Sequence, residues 1–148
     1  MLLQFCTFRV DELFLGVHVE EVQEVILSQP MQRVPLAPPT VRGLVNLRGQ
    51  IATAIDLRCR FGFPKLSPDC ESINVLVNVE DEMMSLLVDE IGDVVEVDAE
   101  AVEEPPPNME ETRRELVHGV VKLEDCLLLV LNTRKASYGV QGVLETTG

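Results

Sequence analysis

Alternation of apolar and polar residues with a two-residue period dominates this chain. From Phe5 to Val10 and from Leu13 to Val19 the alternation runs on either side of Asp11-Glu12, the pattern of two successive strands forming a hairpin. Leu13, Leu15, Val17 and Val19 fall on one face, which leaves His18 on the other with Phe14 and Gly16. A lone histidine in that place is a surface or hydrogen-bonded residue rather than a ligand. The spacing turns helical over Val19, Val22, Val25 and Ile26 and predicts a short helical turn across Glu20 to Glu24 that runs into a strand. Pro30, Pro35, Pro38 and Pro39 make Gln29 to Pro39 an extended connection.

The next stretch, Gly43 to Arg58, carries the clearest hairpin. Val45 and Leu47 alternate on one arm, Ile51, Thr53, Ile55 and Leu57 on the other, and Arg48-Gly49 occupies the turn. Gly49 takes a positive φ at little cost, so the turn pushes Arg48 outward. Ala52 and Ala54 leave room on the opposite face for a closely packed neighbour. Lys65 to Ser72 is a polar link and the best internal boundary. Beyond it, Ile73 to Val79 and Met84 to Val88 form a strand pair around Glu80-Asp81-Glu82, followed by Asp89 to Val97. Glu96 to Glu111, acidic and rich in proline, is expected to be a solvated connection. Asn108 with Glu111 suggests a helix cap and Glu110 with Arg114 an i,i+4 pair, so a short helix is predicted over Met109 to Leu116. Gly119 to Asn132 supplies a last hairpin.

The two halves repeat. Glu20 to Ile26 aligns with Asp89 to Val95, and Gly43 to Ile51 with Gly119 to Leu127, so each half reads strand, strand, helical turn, proline-containing connection, hairpin. Short strands at even spacing predict a mainly β chain of two small packed barrels whose closure removes exposed edges. The halves differ at the second hairpin turn, Arg48-Gly49 in one and Glu124-Asp125 in the other. A requirement of the fold alone would keep both turns alike, so the basic one reads as a binding specialisation.

Charge sharpens that reading. The chain of 148 residues carries a net charge of −13, yet Arg42, Arg48, Arg58 and Arg60 face a single acid, Asp56, between positions 42 and 60. The result is a positive ridge on an acidic protein. The same net charge, with only 4% aromatic residues, disfavours nucleic acid as a partner. Cys6, Cys59, Cys70 and Cys126 are scattered, with only His18 and His118 to assist, so no metal, redox dithiol or other cofactor is expected. No nucleophile-base pair or Gly-rich phosphate loop stands out, which argues against an enzyme. Met1 to Phe5 lacks a basic lead and no apolar run reaches the roughly 18 residues of a membrane span, so a soluble, cytoplasmic protein is expected.

Val22-Gln23-Glu24-Val25, then Gly43-Leu44-Val45-Asn46-Leu47-Arg48-Gly49, Ile55-Asp56-Leu57-Arg58, Leu87-Val88-Asp89-Glu90-Ile91 and Gly119-Val120 together resemble the CheW family of bacterial chemotaxis coupling proteins, in the family's order, from about Phe5 to Lys135. The resemblance implies a non-enzymatic adaptor of two five-stranded SH3-like β-barrels with one or two short helices. The lobes would span 13–66 and 73–135, with strand 5–10 a candidate to join the second and a disordered tail at 137–148. It implies two partners, the regulatory domain of the histidine kinase CheA and the cytoplasmic tip of methyl-accepting chemoreceptors, in receptor arrays at the membrane. A pilus or gliding-motility chemosensory system is the alternative setting. Arg48 and Glu24 are the expected partner contacts, with Val22, Asn46 and Leu47 shaping the surface beside them, and Gly43, Gly49 and Gly119 setting backbone geometry. The competing reading is that Arg48 and Glu24 pair with each other or merely solvate. Thr53 departs from the family, which often has proline there.

Overall fold

The computed structural model, which describes residues 1–27, 29–64 and 72–137, turns each alternating stretch into a hairpin arm. Strands β1 (Leu2–Val10) and β2 (Leu13–His18) pair antiparallel about Asp11, which adopts a left-handed φ of 54°. A single 3-10 turn, Val19–Glu21, leads into β3 (Val22–Leu27), so the turn expected across Glu20 to Glu24 is shorter and Val22 to Glu24 already belong to the strand. Strands β4 (Val41–Leu47) and β5 (Gln50–Asp56) form the second hairpin, and α1 (Leu57–Arg60) follows at once. Its start is fixed by Asp56, whose carboxylate accepts from the Cys59 amide at 3.2 Å. Strands β6 (Ile73–Val79) and β7 (Glu82–Val88) turn on Glu80 and Asp81, both at positive φ. Then come β8 (Glu90–Asp98), a 3-10 turn at Ala99–Ala101, β9 (Val102–Glu103), α2 (Glu111–Glu115), β10 (Val117–Lys122), β11 (Leu127–Leu131) and α3 (Thr133–Ala136).

These strands make two sheets in an SH3-like layout, one of six strands ordered β8-β1-β2-β11-β10-β9 and one of five ordered β3-β6-β7-β5-β4. Neither sheet closes on itself, so edges remain that barrel closure was expected to remove. The strands also do not divide at the expected lobe limits. β2, from the first half, pairs in parallel with β11, and β5 pairs in parallel with β7 from the second half. Each sheet is therefore completed by a hairpin from the other half. Strand β1 sits in the sheet of β10 and β11. The expected boundary at 65–72 falls, except for Ser72, outside the described residues, as does the tail beyond Ser137.

The internal repeat is visible in the register. β3 pairs with β6 as β8 pairs with β1, each with one bulge, which places Val25 against Val75 and Val94 against Cys6 in matching positions. β4 and β10 are each bulged just before Gly43 and Gly119. The helical turn is where the halves part, since it precedes β3 in the first and follows β8 in the second.

One continuous core, including Phe8, Leu15, Val17, Ile55, Leu57, Val75, Met84, Leu86, Leu116 and Leu131, takes side chains from both sheets. The opposite face of β1 and β2 is covered as well, because Phe5 joins Val97, Val121, Leu128 and Val130 in a second cluster. His18 stacks on Phe5 with ring centroids 4.8 Å apart.

Four expectations need correction. Glu96 to Glu103 is not a solvated connection; it lies in β8, the second 3-10 turn and β9. Among the described residues three short α-helices form, where one or two were expected. Asn108 does not cap α2: the N-cap is Glu110, without a side-chain hydrogen bond. Nor does Arg114 pair with Glu110, because its guanidinium turns back to donate to the carbonyls of Pro107 and Met109. Three prolines run straight into Asn108 and the chain must first turn, with the Met109 amide on the Pro106 carbonyl at 3.0 Å, before a helix can start.

Candidate functional site

The β4–β5 hairpin places its two-residue turn with both residues at positive φ, Arg48 at 52° and Gly49 at 85°, the geometry whose twist matches that of paired strands. Glycine adopts this freely; for Arg48 it costs on the order of 1 kcal/mol. Asn46 steadies the turn by accepting from the Gly49 amide at 3.3 Å. The Arg48 side chain stands out from the apex, 74% exposed.

Its guanidinium donates from Nη2 to both carboxylate oxygens of Glu24 on β3, 2.5 Å from Oε1. Because β3 and β4 are opposite edges of the five-stranded sheet, this ion pair spans the gap that backbone pairing leaves open. Asn46 lies beside it in the open, Val22 is half-buried against the main core, and Leu47 is half-buried against a small cluster of Val45, Ala54 and Leu87. Gly43 is required by close approach: a Cβ there would lie 2.7 Å from the Gln32 carbonyl oxygen. Gly119 repeats the arrangement, its Cβ falling 2.7 Å from Val102 Cγ1 and 2.9 Å from the Glu103 carbonyl oxygen.

The positive ridge does not survive folding. Arg42 pairs with the buried Asp56 at 3.3 Å, and Arg60 donates to the carbonyls of Lys135 and Ala136 at 2.9 and 3.3 Å. Arg58 is held by Asp89 in a two-pronged pair, Nε to Oδ1 at 2.9 Å and Nη2 to Oδ2 at 2.8 Å, with Asp11 at 3.2 Å. Arg48, at 74%, and Arg42, at 38%, reach solvent, and each has an internal partner.

The Arg58 cluster ties α1, at the end of the five-stranded sheet, to Asp11 in the β1–β2 turn of the other. Hydrogen bonding to Asp89 pushes the Arg58 pKa further up, and the charges of Asp89 and Asp11 add to it against the opposing effect of burial. The repeat places Arg134 of α3 on Glu80 of the β6–β7 turn at 2.9 Å, an exposed counterpart. The pairing of Arg58 with Asp89 was missed by sequence reasoning, although both of its ends stand in motifs singled out there, Asp56-Leu57-Arg58 and Leu87-Val88-Asp89.

Among the described residues no three His, Cys, Asp or Glu side chains gather as a metal site, and no helix is long and apolar enough to cross a membrane. Cys6, Cys59 and Cys126 are free thiols, half-buried rather than fully covered, and burial pushes the Cys6 thiol pKa up.

The family model described as "CheW-like domain" matches residues 4–138. The chain is 33% identical to Chemotaxis protein CheW of Treponema pallidum over 136 residues, covering 89% of this chain and 80% of that protein. It is 31% identical to Protein PilI of Pseudomonas aeruginosa, covering 79% of this chain and 66% of that protein. Among solved structures it is similar to the scaffolding protein TtCheW from Thermoanaerobacter tengcongensis, with a TM-score of 0.80, 28% identity, and coverage of 89% of this chain and 90% of that one.

Proposed function

The chain belongs to the CheW-like domain family, and on that footing we propose that it is a non-enzymatic chemotaxis scaffold that holds the regulatory domain of the kinase CheA against the cytoplasmic tip of chemoreceptors. The domain match over residues 4–138 is the observation that carries this reading. A scaffold works by linkage: each contact can be weak, because binding one partner raises the effective concentration of the other. The place of action is the cytoplasm, at membrane-associated receptor arrays.

Arg48 and Glu24 suit partner contact in a particular way. A guanidinium fork donates two hydrogen bonds to a carboxylate, and in the free protein Glu24 occupies the group by accepting with both oxygens from one nitrogen, Nη2. An exposed pair of this kind contributes about 0–1 kcal/mol, so a partner carboxylate displaces Glu24 at little cost. Glu24 is then released to accept from a partner's Arg or Lys.

The test is binding of purified kinase regulatory domain and receptor-tip fragment, followed by calorimetry and size-exclusion chromatography. Wild type is expected to bind both; Arg48→Glu is expected to keep its stability within about 1 kcal/mol and to lose at least about tenfold in affinity. The charge-swapped Glu24→Arg, Arg48→Glu protein restores an internal pair but not binding. Unchanged retention of both partners by Arg48→Glu removes Arg48 from the contact, and a wild type that binds neither ends the scaffold reading.

A second setting, a pilus or gliding-motility chemosensory system, draws on the likeness to Protein PilI. Co-purification of the native protein with its partners decides between the two.

A further inference from the structure

Among the large apolar side chains of the described residues, Leu36 is the most exposed, at 105%. It also has a φ of 63°, a conformation that bulky side chains rarely tolerate. Pro35 and Leu36 are the central residues of a turn closed by the Ala37 amide on the Val34 carbonyl at 3.4 Å, with Leu36 where glycine or asparagine fits best. Folding gains nothing from either property. An exposed leucine buries no area, and its backbone is strained.

The loop around it is nonetheless firmly held. Val34 packs on the main core, Gln32 and Leu44 exchange two backbone hydrogen bonds of 2.8 Å, the Val41 amide donates to Pro38 at 2.9 Å and the Asp56 amide to Thr40 at 2.7 Å. Pro35, Pro38 and Pro39 restrict the rest. A side chain on such a support loses little freedom when it is bound. The segment that carries it is basic in a protein of net charge −13: from Gln29 to Arg42 there are two arginines and no acid. Arg42 is taken by Asp56, while Arg33 is exposed and has no ion-pair partner among the described residues. The loop precedes β4 and the Arg48 turn follows it, so the two lie at opposite ends of one strand and can be engaged at the same time.

We propose that Leu36 is a docking knob for a protein partner whose surface offers an apolar socket rimmed by carboxylates, with Arg33 meeting the rim. The proposal rests on the scaffold reading, which supplies the two candidate partners. The full chain, as wild type, Leu36→Asn and Arg33→Glu, is to be titrated with the kinase regulatory domain and with the receptor-tip fragment, and melted. Leu36→Asn is expected to melt about 3 °C higher, because asparagine tolerates the left-handed turn. The same variant is expected to bind one of the two partners at least about tenfold more weakly. Arg33→Glu weakens that same partner, by a factor that shrinks as salt is added. Unchanged affinity of Leu36→Asn for both partners overturns the knob, as does a lower melting temperature, or loss of a self-association with partner affinities intact. A wild type that binds neither partner overturns the scaffold reading and the knob together, which separates that failure from the others.

Discussion

Arg58→Met is expected to destabilise the protein by about 3 kcal/mol, because it strands the largely buried carboxylate of Asp89 and removes the counter-ion of the more exposed Asp11. Arg58 and Asp89 are only 15% and 18% exposed in their side chains, and Asp89 also accepts from the Asp11 amide at 2.6 Å. With the guanidinium gone, Asp89 faces Asp11 uncompensated in a chain already at −13. Arg58→Lys keeps the charge but loses the fork and is expected to give back only part of the loss. Because the cluster joins the β1–β2 turn to α1, the loss should appear as a looser fit between the sheets. Urea denaturation measures the first effect, and amide exchange around Asp11 and Asp89 the second. Adding Asp89→Asn to Arg58→Met is expected to recover stability, since the stranded charge then disappears. A loss below about 1 kcal/mol would place the cluster with ordinary surface pairs.

Gly43→Ala is expected to cost about 3 kcal/mol through overpacking. Its methyl would press on the Gln32 carbonyl at 2.7 Å, and that carbonyl accepts from the Leu44 amide, so relief by movement breaks a backbone bond. Gly119→Ala meets the same obstacle at Glu103, at 2.9 Å, and is expected to behave alike. Gly49→Ala meets no neighbour within 4 Å and pays only for its φ of 85°, so it should cost less than either. Chemical denaturation of the three variants ranks them. Gly43→Ala ranking equal to Gly49→Ala would show that close approach is not what reserves position 43 for glycine.

The hairpins were legible because strand periodicity and turn chemistry coincide in them. Arg48-Gly49 and Glu80-Asp81 each sit between arms that alternate, and each forms a tight turn. The internal repeat was legible for a similar reason, since matched residues such as Gly43 and Gly119 answer to matched backbone crowding. Which strands lie side by side was not. The parallel pairs β2 with β11 and β5 with β7 leave no mark on the pattern of either member, because buried strands look the same whichever neighbour covers them. Charge misled in a different way. Four arginines close in sequence suggest a ridge, but Arg58 is neutralised by the distant Asp89 and Asp11, and Arg60 is tied down by the distant carbonyls of Lys135 and Ala136. Arg48 stands out from its turn as expected and also pairs with Glu24.

The parallel register of Phe14 with Leu128 has a consequence for the nascent protein. More than a hundred residues separate these neighbours, so β2 emerges from the ribosome long before the strand that shields it has been synthesised. The early hairpin must wait, with apolar side chains uncovered, as either a loose intermediate or a client of chaperones.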